Sequence, residues 1–379
     1  MSAPTTIAGQ WVASRPTRAR NRAVATAEVV LGTLLVSVGV GLGLPWAART
    51  GVSPMAATGL VALVCGVVVW VSGLRALTRR AGRRARWALV PLVLVGSLVL
   101  IYVVALPLVV VAPPPSRLGP ATPADRGLVY HVVQMPGADG TTLEGWYVPT
   151  ANGAAVVLRH GSGATRTAVL DQAAVLARHG YGVLMTDARG YGQSTGQRMA
   201  WGWYGEEDIQ AAVHLLVRTP GVDPDRIGVV GLSMGGEESL GAAAHDARIR
   251  AVVAEGLTGR VAADLGWLPA TYGWRGEVTL MVHRVQTALV DVLSDAPSPT
   301  PLADAVAQTA PRQVLLVTAG EVPDELHAAR ALAARSPATV QVWVVPGSGH
   351  TQGLRTAPQA WERNVVAFLD AALDSRLPR

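Results

Sequence analysis

The 379-residue chain contains no lysine and a single cysteine, Cys65. One cysteine excludes an intrachain disulfide and a thiolate metal cluster. Acids are nearly missing from the first 120 positions, which hold twelve arginines and only Glu28, a net charge of +11. The remainder carries twenty arginines against 25 acids, a net −5. The total of +6 and the pI near 10.1 therefore describe the N-terminal part rather than the whole chain. No nucleic-acid-binding motif accompanies that positive charge, which excludes DNA or RNA as the expected partner. A phosphate loop, a dinucleotide fingerprint and a metal-ligand cluster are also missing, so neither cofactor nor metal is expected. There is no internal repeat and no long low-complexity tract.

What the chain has in excess is apolar surface. Half of its residues are hydrophobic and its mean hydropathy is +0.32, too apolar for an ordinary soluble protein. Residues 1–115 account for this. Val29–Ala48, Pro54–Leu74 and Trp87–Ala112 are nearly uncharged and about the ~20 residues a helix needs to cross a bilayer. A cleaved signal peptide is the alternative for the first, but its apolar run is long and two more follow. Arg15, Arg18, Arg20 and Arg22 precede the first stretch, and six arginines from Arg75 to Arg86 separate the second and third. Only Arg49 lies between the first two. The positive-inside rule then puts the N-terminus in the cytoplasm and the C-terminal domain outside it, in a multi-pass protein of the cell membrane. Residues 116–128, after the proline run Pro113–Pro115, read as a stiff linker.

From 129 to 379 the pattern changes to short apolar strands alternating with amphipathic helices. That alternation implies a mostly parallel sheet covered on both faces, with ligand sites at the carboxyl ends of its strands. A hairpin is expected at Tyr130–Met135 and Thr142–Val148, and later strands at 154–159, 181–186, 227–232, 249–254, 314–318 and 340–345. Residues 257–310 break the rhythm and read as a lid. Its Trp267, Tyr272 and Trp274 either line an acyl or aromatic pocket or pack the insert on the sheet.

The stretch Gly231-Leu232-Ser233-Met234-Gly235 stands between an apolar strand and a helix. Strand, Gly-x-Ser-x-Gly and helix together make a nucleophile elbow. With His160-Gly161-Ser162-Gly163, the loop Asp187-Ala188-Arg189-Gly190-Tyr191-Gly192-Gln193-Ser194, and the late Gly349-His350, this order resembles the α/β-hydrolase superfamily. The similarity covers essentially all of 120–379 and lies nearest the dienelactone-hydrolase-like and serine-aminopeptidase-like group. It implies an eight-stranded, mostly parallel sheet carrying helices on both faces, a small lid, and a Ser–acid–His triad in chain order. The three apolar stretches are an addition to that pattern.

Ser233 is the expected nucleophile and His350 its base, since a serine hydroxyl needs an adjacent base oriented by an acid. The acid is expected in the loop after the strand at 314–318. Asp324 is the first choice, with Glu321 as the alternative because the loop is one residue longer than the family's Gly-x-x-Asp. Glu325 reads as a favourable charge in a helix's first turn. The backbone amides of Met234 and Ser162 are the expected oxyanion hole. His160 reads as a structural loop residue, Asp187 and Arg189 as a bracing pair, and Glu206, Glu207 and Asp208 as helix-start acids. These readings imply a membrane-anchored serine hydrolase of the carboxylesterase or peptidase type, acting on an ester, thioester or amide. Two alternatives stay open: an acyltransferase using the same triad, and a non-catalytic binding or assembly protein on a hydrolase scaffold.

Overall fold

The computed structural model describes residues 22–79 and 81–374. Arg15, Arg18, Arg20 and Arg80 of the charge argument lie outside these. Three long helices come first: α1 Arg22–Thr50, α2 Pro54–Thr78 and α3 Arg83–Val111. Each is long and apolar enough to cross a membrane. The start of α1, the end of α2 and the start of α3 run one to two turns past the sequence-predicted spans, because arginines tolerate helix and only lipid excludes them. Gly59, Gly66 and Gly73 recur every seven residues along α2 and face α1. A Cβ on Gly66 would lie 2.7 Å from the Val36 amide. The seam is therefore set by small residues, the usual basis of helix contact where lipid removes the hydrophobic driving force.

Eight strands form one sheet in the order β1-β2-β4-β3-β5-β6-β7-β8. They are β1 His131–Pro136, β2 Thr142–Val148, β3 Ala155–Arg159, β4 Gly182–Thr186, β5 Ile227–Leu232, β6 Ile249–Glu255, β7 Gln313–Ala319 and β8 Val340–Val345. The β1–β2 and β2–β4 pairs are antiparallel and the others parallel. Every expected strand is present, within a residue or two of its predicted ends. Side chains alternate between two cores as the pleat requires. Val157 and Val229 point into one, with α5 Gly205–Val217, α6 Met234–His245, α9 Leu302–Thr309 and α10 Pro323–Arg335. Val156, Leu158 and Val230 point into the other, with α4 Leu170–Arg178 and α12 Pro358–Ala372. The insert 257–310, expected as a lid, holds α7 Leu268–Tyr272 and α8 Trp274–Leu293. A single turn, α11 Gly353–Thr356, follows β8.

The linker is not a free spacer. Ser116 is buried, and its hydroxyl donates to the Gly163 carbonyl at 2.7 Å. The Gly192 amide donates to Ser116 O at 3.0 Å. At the end of α3, Val110 packs with Met199, Trp203, Tyr204 and Val290 of the sheet loops and lid. The end of α3 and the domain that holds the sheet therefore share a core, and cutting near Leu118 would leave that cluster uncovered.

Candidate active site

β5 runs into α6 through Ser233, whose backbone sits at φ 52°, ψ −122°. For a non-glycine residue this region costs about 1–3 kcal/mol and is held only where surroundings over-determine it. They do so here. Ser233 N donates to Glu255 O at 2.7 Å, and Ser233 O accepts from the Gly236 amide at 2.8 Å. A Cβ on Gly231 would collide with the Gly235 carbonyl, and one on Gly235 would lie 2.6 Å from His160 O. Glycine at these two positions is a steric requirement of the turn. The result is a serine hydroxyl standing off the carboxyl edge of the sheet.

His350 reaches it from the loop after β8. Its Nε2 lies 2.9 Å from Ser233 Oγ and its Nδ1 lies 2.7 Å from Glu325 Oε1. Glu325 is fully buried, and its other oxygen accepts the Ala319 amide at 2.8 Å. The carboxylate is thus fixed, requires a proton on Nδ1, and leaves Nε2 free to accept from the serine. The Glu325 hydrogen bond raises the His350 pKa, partial burial opposes it, and the Glu325 charge adds to the rise.

The acid against His350 is therefore neither Asp324 nor Glu321. Both are exposed. Asp324 turns outward and accepts from the Tyr272 hydroxyl at 2.5 Å, tying the lid to α10. Pro323, Asp324 and Glu325 occupy the first turn of α10, where successive side chains diverge by ~100°. Only the third is aimed at the sheet. The chain pattern marks a first-turn acid at each of the last two positions; which one faces inward is decided by how α10 packs.

The glycine-rich loop after β3 lies against the nucleophile. A Cβ on Gly161 would be 3.2 Å from Ser233 Cβ. Among the described residues, neither the Ser162 nor the Met234 amide donates to a backbone acceptor. His160 is fully buried, with Nε2 accepting the Ala188 amide at 3.0 Å and Nδ1 against Gly161 O at 2.8 Å. An amide can only donate, so the proton resides on Nδ1 and the ring is neutral. Burial, helped by the Arg159 charge, pushes its pKa down to about 3.

The bracing pair is a different one from that expected. Asp187 Oδ2 is bound by Arg166 Nη1 at 2.5 Å, and its Oδ1 accepts the Arg166 amide at 2.8 Å. Arg189 turns the other way, to Asp208 at 3.0 Å. Residues two apart in a loop need not share a face. Two buried clusters went unnoticed in the sequence. Arg159, at the end of β3, binds Glu238 at 2.6 Å and Asp208 at 3.1 Å, all three out of water. Burial pushes Glu238 up to about 7 despite that arginine. Glu255, at the end of β6, accepts Gly353 N at 2.8 Å and Trp361 Nε1 at 2.9 Å, which fixes the segment just after His350. The arginine in β3 and the two glutamates after the elbow were the available signals.

In the lid, Trp267 stacks on His327 at 5.7 Å and lines a cavity of about 300 Å³. Trp274 is 72% exposed, so it neither lines that cavity nor packs the insert on the sheet.

Comparison with known proteins bears on the fold. Residues 150–298 match the family model described as serine aminopeptidase, S33. The esterase Pf2001 of Pyrococcus furiosus superposes with a TM-score of 0.57 at 22% identity, over 69% of this chain and 98% of that one. Among curated sequences, the thiohydrolase aneE of Aspergillus aculeatus is 38% identical over 128 residues, 33% of this chain and 40% of its own length. The polyketide transferase ATR5 of Stachybotrys chlorohalonatus is 37% identical over 126 residues, 32% of this chain and 42% of its own. The chain thus spans less than half the length of these two curated relatives.

Proposed function

We propose that this chain, an α/β-hydrolase by fold and family likeness, is a membrane-anchored serine hydrolase whose domain works outside the cytoplasm on an ester, thioester or amide. The single observation that carries the reading is the hydrogen-bonded chain Glu325–His350–Ser233 on a strained elbow. As the Ser233 Oγ–acyl carbon bond forms, its proton passes to His350 Nε2, which protonates the leaving oxygen, sulfur or nitrogen as that bond breaks. Water then attacks the acyl carbon, giving its proton to His350 Nε2, which returns it to Ser233 Oγ as the acyl–oxygen bond breaks and the acid leaves. The developing oxyanion is held by the Met234 and Ser162 amides, and Glu325 stabilises the imidazolium. Reaction of the solubilised full-length protein with a panel of acyl and aminoacyl substrates tests the class. Activity that survives in Ser233→Ala would exclude the reading.

The second reading is transfer, in which an acceptor other than water takes the acyl group. The name of the ATR5 relative favours it. Analysis of products with and without added alcohol or amine separates the two, since a transferase gives mainly the new ester or amide.

The arginine asymmetry supports the proposed orientation. A reporter active only outside the cytoplasm, fused after Arg379, is expected to be active. A cytoplasmic result for that fusion would contradict the orientation.

A further inference from the structure

The lid helix α8 has a polar side turned to a cavity and an apolar side on its surface, and the domain accounts for only the first. Thr279, His283 and Thr287, four residues apart, line one wall of the cavity of about 300 Å³; Arg260 and Asp324 also line it, and Leu106 of α3, Trp267 and Leu268 form its apolar part. That size is at the lower end of the ~300–1,000 Å³ typical of small-molecule sites. The cavity reaches Thr258, two residues beyond Gly256, where an added Cβ would lie 3.1 Å from the His350 ring. It is therefore a near neighbour of the triad. On its other side α8 presents Trp274, Val278, Met281, Val285 and Val292, spaced 4, 3, 4 and 7 apart and 46–81% exposed. A contiguous apolar stripe of this length is not the ordinary scatter of surface hydrophobics.

Its position says what covers it. α8 lies beside the end of α3: Gln286 Nε2 donates to Tyr102 O at 3.1 Å, and Val290 packs with Val110. From Trp87, the first residue past the arginines, about 20 helical residues at ~1.5 Å each fill a ~30 Å hydrocarbon layer and end near Leu106. Tyr102 then lies about one helical turn inside that layer. Its neighbours on α3, Leu98 and Val99, are 64% and 53% exposed. Gln286 and Val290 thus hold α8 beside this exposed apolar stretch of α3, with the stripe turned away from the contact between the two helices. The rim of the site is tied to the same boundary. Arg49, at the outer end of α1, donates to Gly163 O at 3.4 Å, and Ala200 N donates to Val110 O at 2.9 Å.

We propose that α8 lies in the leaflet on the hydrolase side with its stripe in lipid, and that the cavity takes an apolar chain of a membrane-resident acyl substrate. Such a substrate reaches Ser233 from the bilayer rather than from solution. This rests on the hydrolase reading above and on α1–α3 as spans. An amphipathic helix docked this way sinks its apolar face about 5–10 Å below the headgroup boundary.

Cys65→Ser leaves a cysteine-free chain for the test. Bimane attached at Val278→Cys or Val285→Cys, in full-length protein in phosphatidylcholine vesicles, is expected to be quenched severalfold more by doxyl-labelled phosphatidylcholine than by aqueous iodide. Glu321→Cys, in an exposed loop, is expected to show the reverse. The pattern should persist with Ser233→Ala, so it does not depend on catalysis. Iodide reaching 278 and 285 as readily as 321 would overturn the proposal. Independently, Val285→Asp is expected to slow cleavage of a long-chain ester embedded in vesicles at least tenfold while sparing a short water-soluble ester. Equal rates for variant and parent on the vesicle ester would also overturn it. Failure of the parent to cleave either ester, or of Ser233 to label, would instead remove the hydrolase reading and leave the quenching result to stand by itself.

Discussion

Glu325→Gln is expected to lower kcat by roughly 10³–10⁴ with little change in KM, by the logic of the Ser-His-Asp template. The amide is close to isosteric but cannot hold the proton on His350 Nδ1 or stabilise the imidazolium. Asp324→Asn and Glu321→Gln are expected to keep most of the parental rate, since both carboxylates are exposed and Asp324 serves the lid through Tyr272. The pH profile gives a second readout. Catalysis needs neutral His350, so activity is lost as pH falls through its pKa, which Glu325 raises above the ordinary 6.5. Residual activity of Glu325→Gln should therefore have its acid limb at lower pH than the parent. A dead Asp324→Asn beside an active Glu325→Gln would reverse the assignment.

Arg159→Met is expected to destabilise the domain by about 3–5 kcal/mol, the usual cost of leaving buried charge without its partner. Arg159 is the ion-pair partner of Glu238 and shares Asp208 with Arg189. The loss should depend on pH in a set direction. Glu238 in the fold titrates near 7, above its ordinary 4.5, so the folded state binds the extra proton. Its contribution to stability is full below 4.5 and is lost as pH rises through 7. Without Arg159 the folded value rises further. The variant should then be closest to the parent in urea unfolding near pH 5 and furthest from it near pH 8. A penalty independent of pH would mean that Glu238 is not the group left unpaired.

The scaffold was legible because its signals are local. Apolar runs of five to seven residues became β3 to β8, and the elbow glycines announced a turn that permits nothing larger. Ser233 and His350 were legible for the same reason, each at the end of a strand in a small-residue loop. The acid was not. Asp324 and Glu325 are adjacent in the sequence, and a residue's side of a helix is fixed by packing that no local pattern records. Family spacing pointed to Asp324 because an aspartate at that position is usual. In this chain the longer glutamate side chain, one residue on, reaches His350 from the next position of the same turn. The pairing of Asp187 with Arg166 instead of Arg189 failed to show for the same reason, since it joins the loop after β4 to a residue 21 positions earlier. The packing of α3 on α8 also lay beyond a residue-by-residue reading. An apolar stretch looks the same whether lipid or protein covers it, and Val110 and Tyr102 are apolar in either case.

The measurement that tests the central claim most directly is covalent labelling with a fluorophosphonate, read by intact mass and peptide mapping on the solubilised full-length protein. One adduct per chain is expected, on Ser233, absent in Ser233→Ala, slowed by orders of magnitude in Glu325→Gln, and unchanged in Asp324→Asn. An unlabelled parent, or an adduct that persists in Ser233→Ala, would contradict it.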